Sequence, residues 1–184
     1  MGGGSAQHSS CVIWERSQLR QGDQQGRTAV TQPSPIRLLI AEHHPSVRDQ
    51  LAAVFTRIDD IQLVGAAADA EEAARIAAEQ SPDVVLMDVS MDAAGTAEGS
   101  RCIRAAAPFS KLVMLSWLHE RASVLRSIDH GAVGYMLKDD AGEELIQAVR
   151  AADRGEWPLS PRAAAVVLSE RLKTKGRFPS GRES

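Results

Sequence analysis

Ile36-Arg37-Leu38-Leu39-Ile40-Ala41 is a short, mostly apolar run, and it ends abruptly in the polar cluster Glu42-His43-His44. Such a run, apolar along its length and then charged, is the signature of a strand buried on both faces. Pro45 to Arg57 follows with Val47, Leu51, Val54 and Phe55 on one helical stripe. A buried strand, a polar turn and an amphipathic helix therefore occupy about twenty residues.

The unit repeats along the chain. Ile61 to Gly65 reads as a second strand, entered through the Asp59-Asp60 turn. Asp69 and Glu72 are spaced as a capping box and open an Ala-rich helix to Gln80, which Ser81-Pro82-Asp83 ends. Val84-Val85-Leu86-Met87 is a third strand ending at Asp88, followed by a loop with Gly95 and a helix from Ala97 to Ala107. Lys111 to Leu115, a helix from Glu120 to Ile128, the strand Tyr135-Met136-Leu137 and a helix from Glu143 to Arg154 complete the series. Five βα units with apolar strands predict an α/β fold, a doubly wound five-stranded parallel sheet with helices on both faces.

Ligands of such sheets sit beyond the carboxyl ends of the strands, where the strand order reverses. Glu42, His43 and His44 follow strand one, Asp88 strand three, Ser116 strand four and Lys138 strand five. Strand two is followed only by Ala66-Ala67-Ala68, which suits an edge position. The glycine-rich phosphate loops GxGxxG and GxxxxGK[ST] are absent, as are HExxH and GxSxG, against nucleotide enzymes, zinc proteases and α/β-hydrolases. A carboxylate faced by an ammonium and a hydroxyl suits the acceptance of a phosphoryl group as an acyl phosphate.

The segments Leu38 to Arg48, Pro82 to Asp88, Leu115-Ser116 and Gly131 to Asp139 resemble receiver domains of two-component response regulators. The resemblance runs from about Ile36 to Pro158 and is nearest the NarL/FixJ branch, by His44-Pro45, Lys138-Asp139 and Leu159-Ser160-Pro161. It implies the flavodoxin-like strand order 2-1-3-4-5 and phosphorylation of Asp88 by a histidine kinase. It also implies phosphoryl contacts from Ser116 and Lys138, a switch made by Ser116 and Tyr135, and a Mg²⁺ site of Glu42, Asp88 and the Ser90 backbone. A regulator of transcription rather than an enzyme is expected, with a homodimer as a further possible assembly.

Two departures from the family pattern matter. The acidic pair after strand one is Glu42-His43 here, and imidazole is a poor ligand for Mg²⁺, so a weak Mg²⁺ site is expected. Met91-Asp92-Ala93-Ala94-Gly95-Thr96 lacks the proline that stiffens the family's loop. His43 favours a rival reading, a phosphorylation-independent pseudo-receiver acting as a protein- or ligand-binding or dimerisation module. A small α/β enzyme using Asp88 and Lys138 is a weaker rival, because no cofactor loop or positioned base is apparent. His43 and His44 are adjacent, with no cysteine or third histidine near them, which argues against zinc. Trp117 is a candidate to lie over the crevice.

Composition sets the remaining bounds. The 184 residues are 43% hydrophobic and 24% charged with net charge −3, a globular balance rather than that of a nucleic-acid-coating chain. Cys11 and Cys102 form no CxxC or metal spacing, and no apolar stretch is long enough for a membrane span, so a cytoplasmic protein is expected. Residues 1–35, rich in Gly, Ser and Gln, read as a flexible arm, 36–158 as the receiver, and 159–184 as a basic linker with a short helix capped by Ser160. Helix-turn-helix modules follow such linkers in NarL/FixJ proteins. None is apparent before Ser184, so DNA contact is expected only through a domain outside these residues.

Overall fold

The computed structural model describes residues 34–92, 98–117, 120–140 and 142–175. Five parallel strands, β1 (Ile36–Ala41), β2 (Ile61–Ala67), β3 (Val84–Asp88), β4 (Lys111–Ser116) and β5 (Gly134–Leu137), form one sheet in the order β2-β1-β3-β4-β5. β2 stands at an edge, as its apolar sequel requires, although it runs two residues beyond Gly65. The helices are α1 (Pro45–Phe55), α2 (Ala70–Gln80), α3 (Glu98–Ala106), α4 (Arg121–Asp129), α5 (Gly142–Asp153) and α6 (Pro161–Lys175).

Strand side chains alternate between faces, and the two faces bury two separate cores. Leu38, Ile40, Val84, Leu86, Val113 and Leu115 point to one side, where Leu51 and Phe55 of α1 and Leu145, Ile146 and Val149 of α5 cover them. Leu39, Ala41, Val85, Met87, Leu112 and Met114 point to the other, covered by Ala73 and Ala77 of α2, Ile103 of α3, Val124 of α4 and Ala163 of α6. Phe55 has no exposed surface, and burying a side chain of that size contributes about 1.5–3 kcal/mol.

Local chemistry sets the ends of the elements. The Asp69 carboxylate accepts from the Glu72 amide at 2.8 Å, capping α2, while Glu72 reaches back to the Ala68 amide at 2.8 Å. After α5 the chain returns along the outer edge of β5. The Tyr135 amide donates to Pro158 O, and the Ser160 amide donates to Tyr135 O, each at 2.9 Å. Gly134 is needed there, since a Cβ on it would stand 2.7 Å from both the Cγ and the carbonyl oxygen of Pro158.

The segment expected as a linker carries a 15-residue helix. Ala163 is fully buried against the second core, with Val166 and Val167 packed beside it. Arg121 of α4 donates to the Ser169 hydroxyl at 2.8 Å and pairs with Glu170. The expected arm of residues 1–35 lies almost wholly outside the described residues, as do Ala93 to Thr96 of the loop after Asp88.

Candidate functional site

Parallel strands all point their carboxyl ends the same way, so the residues leaving β1, β3, β4 and β5 gather at one rim. β3 and β1 are neighbours, with Met87 beside Ala41, which sets Asp88 next to Glu42. β4 lies between β3 and β5, with Asp88 beside Leu115 and Ser116 beside Leu137. Lys138 leaves β5 one residue later, anchored by its amide donating to Ser116 O at 2.9 Å.

Glu42, Asp88 and Lys138 meet there in the buried interior. The Lys138 Nζ lies 2.5 Å from Glu42 Oε2 and 3.0 Å from Asp88 Oδ2, and all three side chains are nearly inaccessible to water. Two carboxylates at such a site would repel strongly in a low dielectric, and the shared ammonium offsets that repulsion. The Trp117 ring, half-exposed, lies with its centroid 5.6 Å from the same Nζ, within the range of a cation–π contact.

Asp88 is also held from the other side. The Ser90 hydroxyl donates to Asp88 Oδ2 at 2.5 Å, and the Ser90 amide donates to Oδ1 at 3.1 Å, through a 3₁₀ turn over Val89–Met91. Burial by itself raises the Asp88 pKa, but the Ser90 hydroxyl, the Ser90 amide and Lys138 together outweigh it and lower the pKa below the usual carboxylate range. Asp88 therefore stands ionised at neutral pH.

His43 occupies the remaining approach to the same oxygen. Its Nδ1 lies 3.1 Å from Asp88 Oδ2 and 3.1 Å from the Ser90 hydroxyl. The tautomer with its proton on Nδ1, assigned from this network, donates to the carboxylate. His44 turns to Glu42, whose Oε1 accepts from the His44 amide at 2.9 Å and lies 3.3 Å from its Nδ1. Both imidazoles are about half exposed.

The sequence reading is met unevenly at this rim. Glu42, His43, Asp88, Ser90 and Lys138 are brought into one contact network. Ser116 is buried at the end of β4, next to this rim. Tyr135 is fully buried, and its hydroxyl donates to Ser123 Oγ of α4 at 3.3 Å. Two contacts went unforeseen: the hydroxyl of Ser90, expected to offer only its backbone, and the turn of His44 toward Glu42. The serine lies two residues after Asp88, within reach of an Asx-type turn, and that spacing was the available signal. In the loop beyond, Asp92 accepts from the Ser100 amide at 2.9 Å and its hydroxyl at 2.5 Å, tying the loop to α3.

Mg²⁺ requires near-octahedral oxygen ligands. Here an imidazole nitrogen faces Asp88 and a second faces Glu42, while Lys138 bridges the two carboxylates. This donor set does not fit Mg²⁺.

A wound sheet of this order, with an aspartate, a glutamate and a lysine converging at the carboxyl ends of its strands, is the arrangement of a receiver domain. Residues 38–150 match the response regulator receiver domain, and the chain belongs to that family. It is 38% identical over 140 residues to the transcriptional regulatory protein YxjL of Bacillus subtilis, an alignment covering 76% of this chain and 64% of YxjL. It is 36% identical to LiaR of the same organism, over 81% of this chain and 70% of LiaR. The chain thus spans about two thirds of the length of these relatives. Among solved structures, a LuxR-family two-component response regulator from Aurantimonas sp. SI85-9A1 superposes with a TM-score of 0.68 at 32% identity, over 76% of this chain and 99% of that one. The receiver domain of NarL from Mycobacterium tuberculosis gives 0.62 at 26% identity, over 67% of this chain and all of that one. No helix among the described residues is long and apolar enough to cross a membrane.

Proposed function

We propose that this chain is the regulatory module of a transcriptional response regulator and that Asp88 accepts a phosphoryl group from a partner histidine kinase. The observation that carries this reading is the 3.0 Å contact between Lys138 Nζ and an Asp88 carboxylate that is buried yet kept ionised. In the transfer, an Asp88 oxygen attacks phosphorus, the bond from phosphorus to the kinase imidazole nitrogen breaks, and that nitrogen keeps the electron pair. An acyl phosphate forms on Asp88. In this reading Lys138, the Ser90 amide and Ser116 bind the new phosphoryl oxygens.

Each phosphoryl brings about −1.5 to −2 charges at neutral pH. Ser116 and Tyr135 then carry the change outward, Tyr135 through its contact with Ser123 of α4. Residues 36–158 form the switching unit in this reading, residues 1–35 an arm, and 159–184 the connection to an output domain that reads DNA. The transcriptional naming of YxjL and LiaR supports that output, and self-association is its accompanying assembly.

A second reading is favoured by one observation. His43 and Ser90 already engage the Asp88 oxygen that faces Lys138, which suits a module whose shape is set by a partner rather than by phosphate. Incubation with acetyl phosphate, read by intact mass, separates the two. Addition of one phosphoryl mass, absent in Asp88→Asn, supports the phosphoryl reading; no adduct where a control receiver labels fully supports the other.

A further inference from the structure

The same rim offers a metal site of a different chemical class. We propose that Glu42, His43, His44 and Asp88 bind one borderline transition-metal dication of the Zn²⁺ or Co²⁺ type in four-coordinate geometry. One ligand atom from each of the four lies within 4.8 Å of all the others. Measured pairs are 3.1 Å for His43 Nδ1 with Asp88 Oδ2, 3.3 Å for His44 Nδ1 with Glu42 Oε1, and 3.9 Å for His43 Nδ1 with Glu42 Oε1. A tetrahedral ion with bonds of about 2.0–2.2 Å places its ligand atoms about 3.3–3.6 Å apart. The observed spacings bracket that range.

The surroundings support the assignment. Glu42 is wholly buried, its Oε2 contacts Lys138, and its Oε1 lies 3.3 Å from His44 Nδ1 and 3.9 Å from His43 Nδ1. The rings lie with centroids 3.7 Å apart, tilted by 53°, and both Nδ1 atoms lie within 3.9 Å of Glu42 Oε1. Their half-exposed outer edges give an ion a path from solvent. On ligation each imidazole offers its Nδ1 lone pair and carries its proton on Nε2, so both rings enter neutral. Lys138 opposes any dication by charge. An ion held by charge alone, such as Mg²⁺, has only the two carboxylates to offset that repulsion, whereas two imidazole bonds add to them for Zn²⁺ or Co²⁺. The adjacency of His43 and His44, with no cysteine or third histidine near them, argued against zinc in the sequence; the two carboxylates that the fold sets beside them change the count of ligands.

The proposal stands whether or not Asp88 is phosphorylated, and its test needs no phosphodonor. The full chain is titrated with CoCl₂ and followed by visible absorption. One equivalent should bind with the intense d–d bands of a four-coordinate site, be displaced by Zn²⁺, and resist excess Mg²⁺. His43→Asn and His44→Gln should each weaken binding by more than the roughly 10–100-fold that follows loss of an outer-shell partner, with circular dichroism and Tm of the metal-free variants showing a retained fold. The pale spectrum of octahedral Co²⁺, bands that survive both substitutions, or displacement by Mg²⁺ as readily as by Zn²⁺ would each overturn the assignment.

Discussion

Lys138 reaches across the line of β4 to place its Nζ 3.0 Å from Asp88 Oδ2, joining the ends of two strands that are not neighbours in the sheet. Neither residue could be satisfied alone at that depth. Glu42 completes the arrangement from the far side, so one ammonium serves two buried carboxylates.

Removing the ammonium should therefore be costly. Lys138→Met leaves Glu42 and Asp88 facing each other without a cation, and breaking a buried ion pair from one side typically costs about 3–5 kcal/mol. Urea unfolding at neutral pH should show a loss of that order. Adding Glu42→Gln to Lys138→Met should recover part of it, because one uncompensated charge disappears. Full stability in the single variant would mean that the pair is not buried as described.

The acid limb of stability should carry the signature of Asp88. Its folded pKa is lowered, so its ionised form contributes stability that is fully present above the unfolded value. That contribution is lost as pH falls below about 4. Asp88→Asn should flatten the stability profile there while leaving the profile above pH 5 unchanged in slope. A wild-type curve with the same acid slope as the variant would refute this.

Replacing one ring should change the metal preference of the pocket. His43→Asp restores a second hard oxygen beside Glu42, and Mg²⁺ binding should tighten by roughly tenfold, about 1.4 kcal/mol. Quenching of Trp117 fluorescence gives a direct titration, since that ring lies 5.6 Å from Lys138 Nζ. Equal Mg²⁺ affinity in the two proteins would show that His43 is not the obstacle.

The edge of β5 offers a packing test. Gly134→Ala would drive a methyl group against the backbone oxygen and ring of Pro158, each 2.7 Å from the new Cβ. A loss of about 1–3 kcal/mol is expected, with faster amide exchange at Ser160 and along α6. Tyr135→Phe, which removes only the hydroxyl donating to Ser123, should cost about 0.5–1.5 kcal/mol.

The sheet was legible because each strand is a nearly pure apolar run with a distinct sequel. Ala66-Ala67-Ala68 marked β2 as an edge, and Glu42, Asp88, Ser116 and Lys138 marked the rim. What the chain did not announce depends on close approach in space. The docking of α6 rests on Ala163 reaching the second core and on Gly134 admitting Pro158, while Arg162, Arg171, Lys173 and Lys175 gave that segment the look of a solvated linker. At the site, the contact of His44 with Glu42 depends on a turn of two residues whose backbone a sequence does not specify. The Ser90 hydroxyl was hidden for the same reason: its role follows from the 3₁₀ turn after β3.

The most direct measurement of the central claim is to locate the phosphoryl group itself. The chain is treated with acetyl phosphate, the acyl phosphate is reduced with borohydride, and the modified residue is mapped by peptide mass spectrometry. Conversion of Asp88 to homoserine, with Glu42 and the other acids untouched, is the predicted result. An unmodified Asp88 beside a fully labelled control receiver, or reduction at a different carboxylate, would contradict the account.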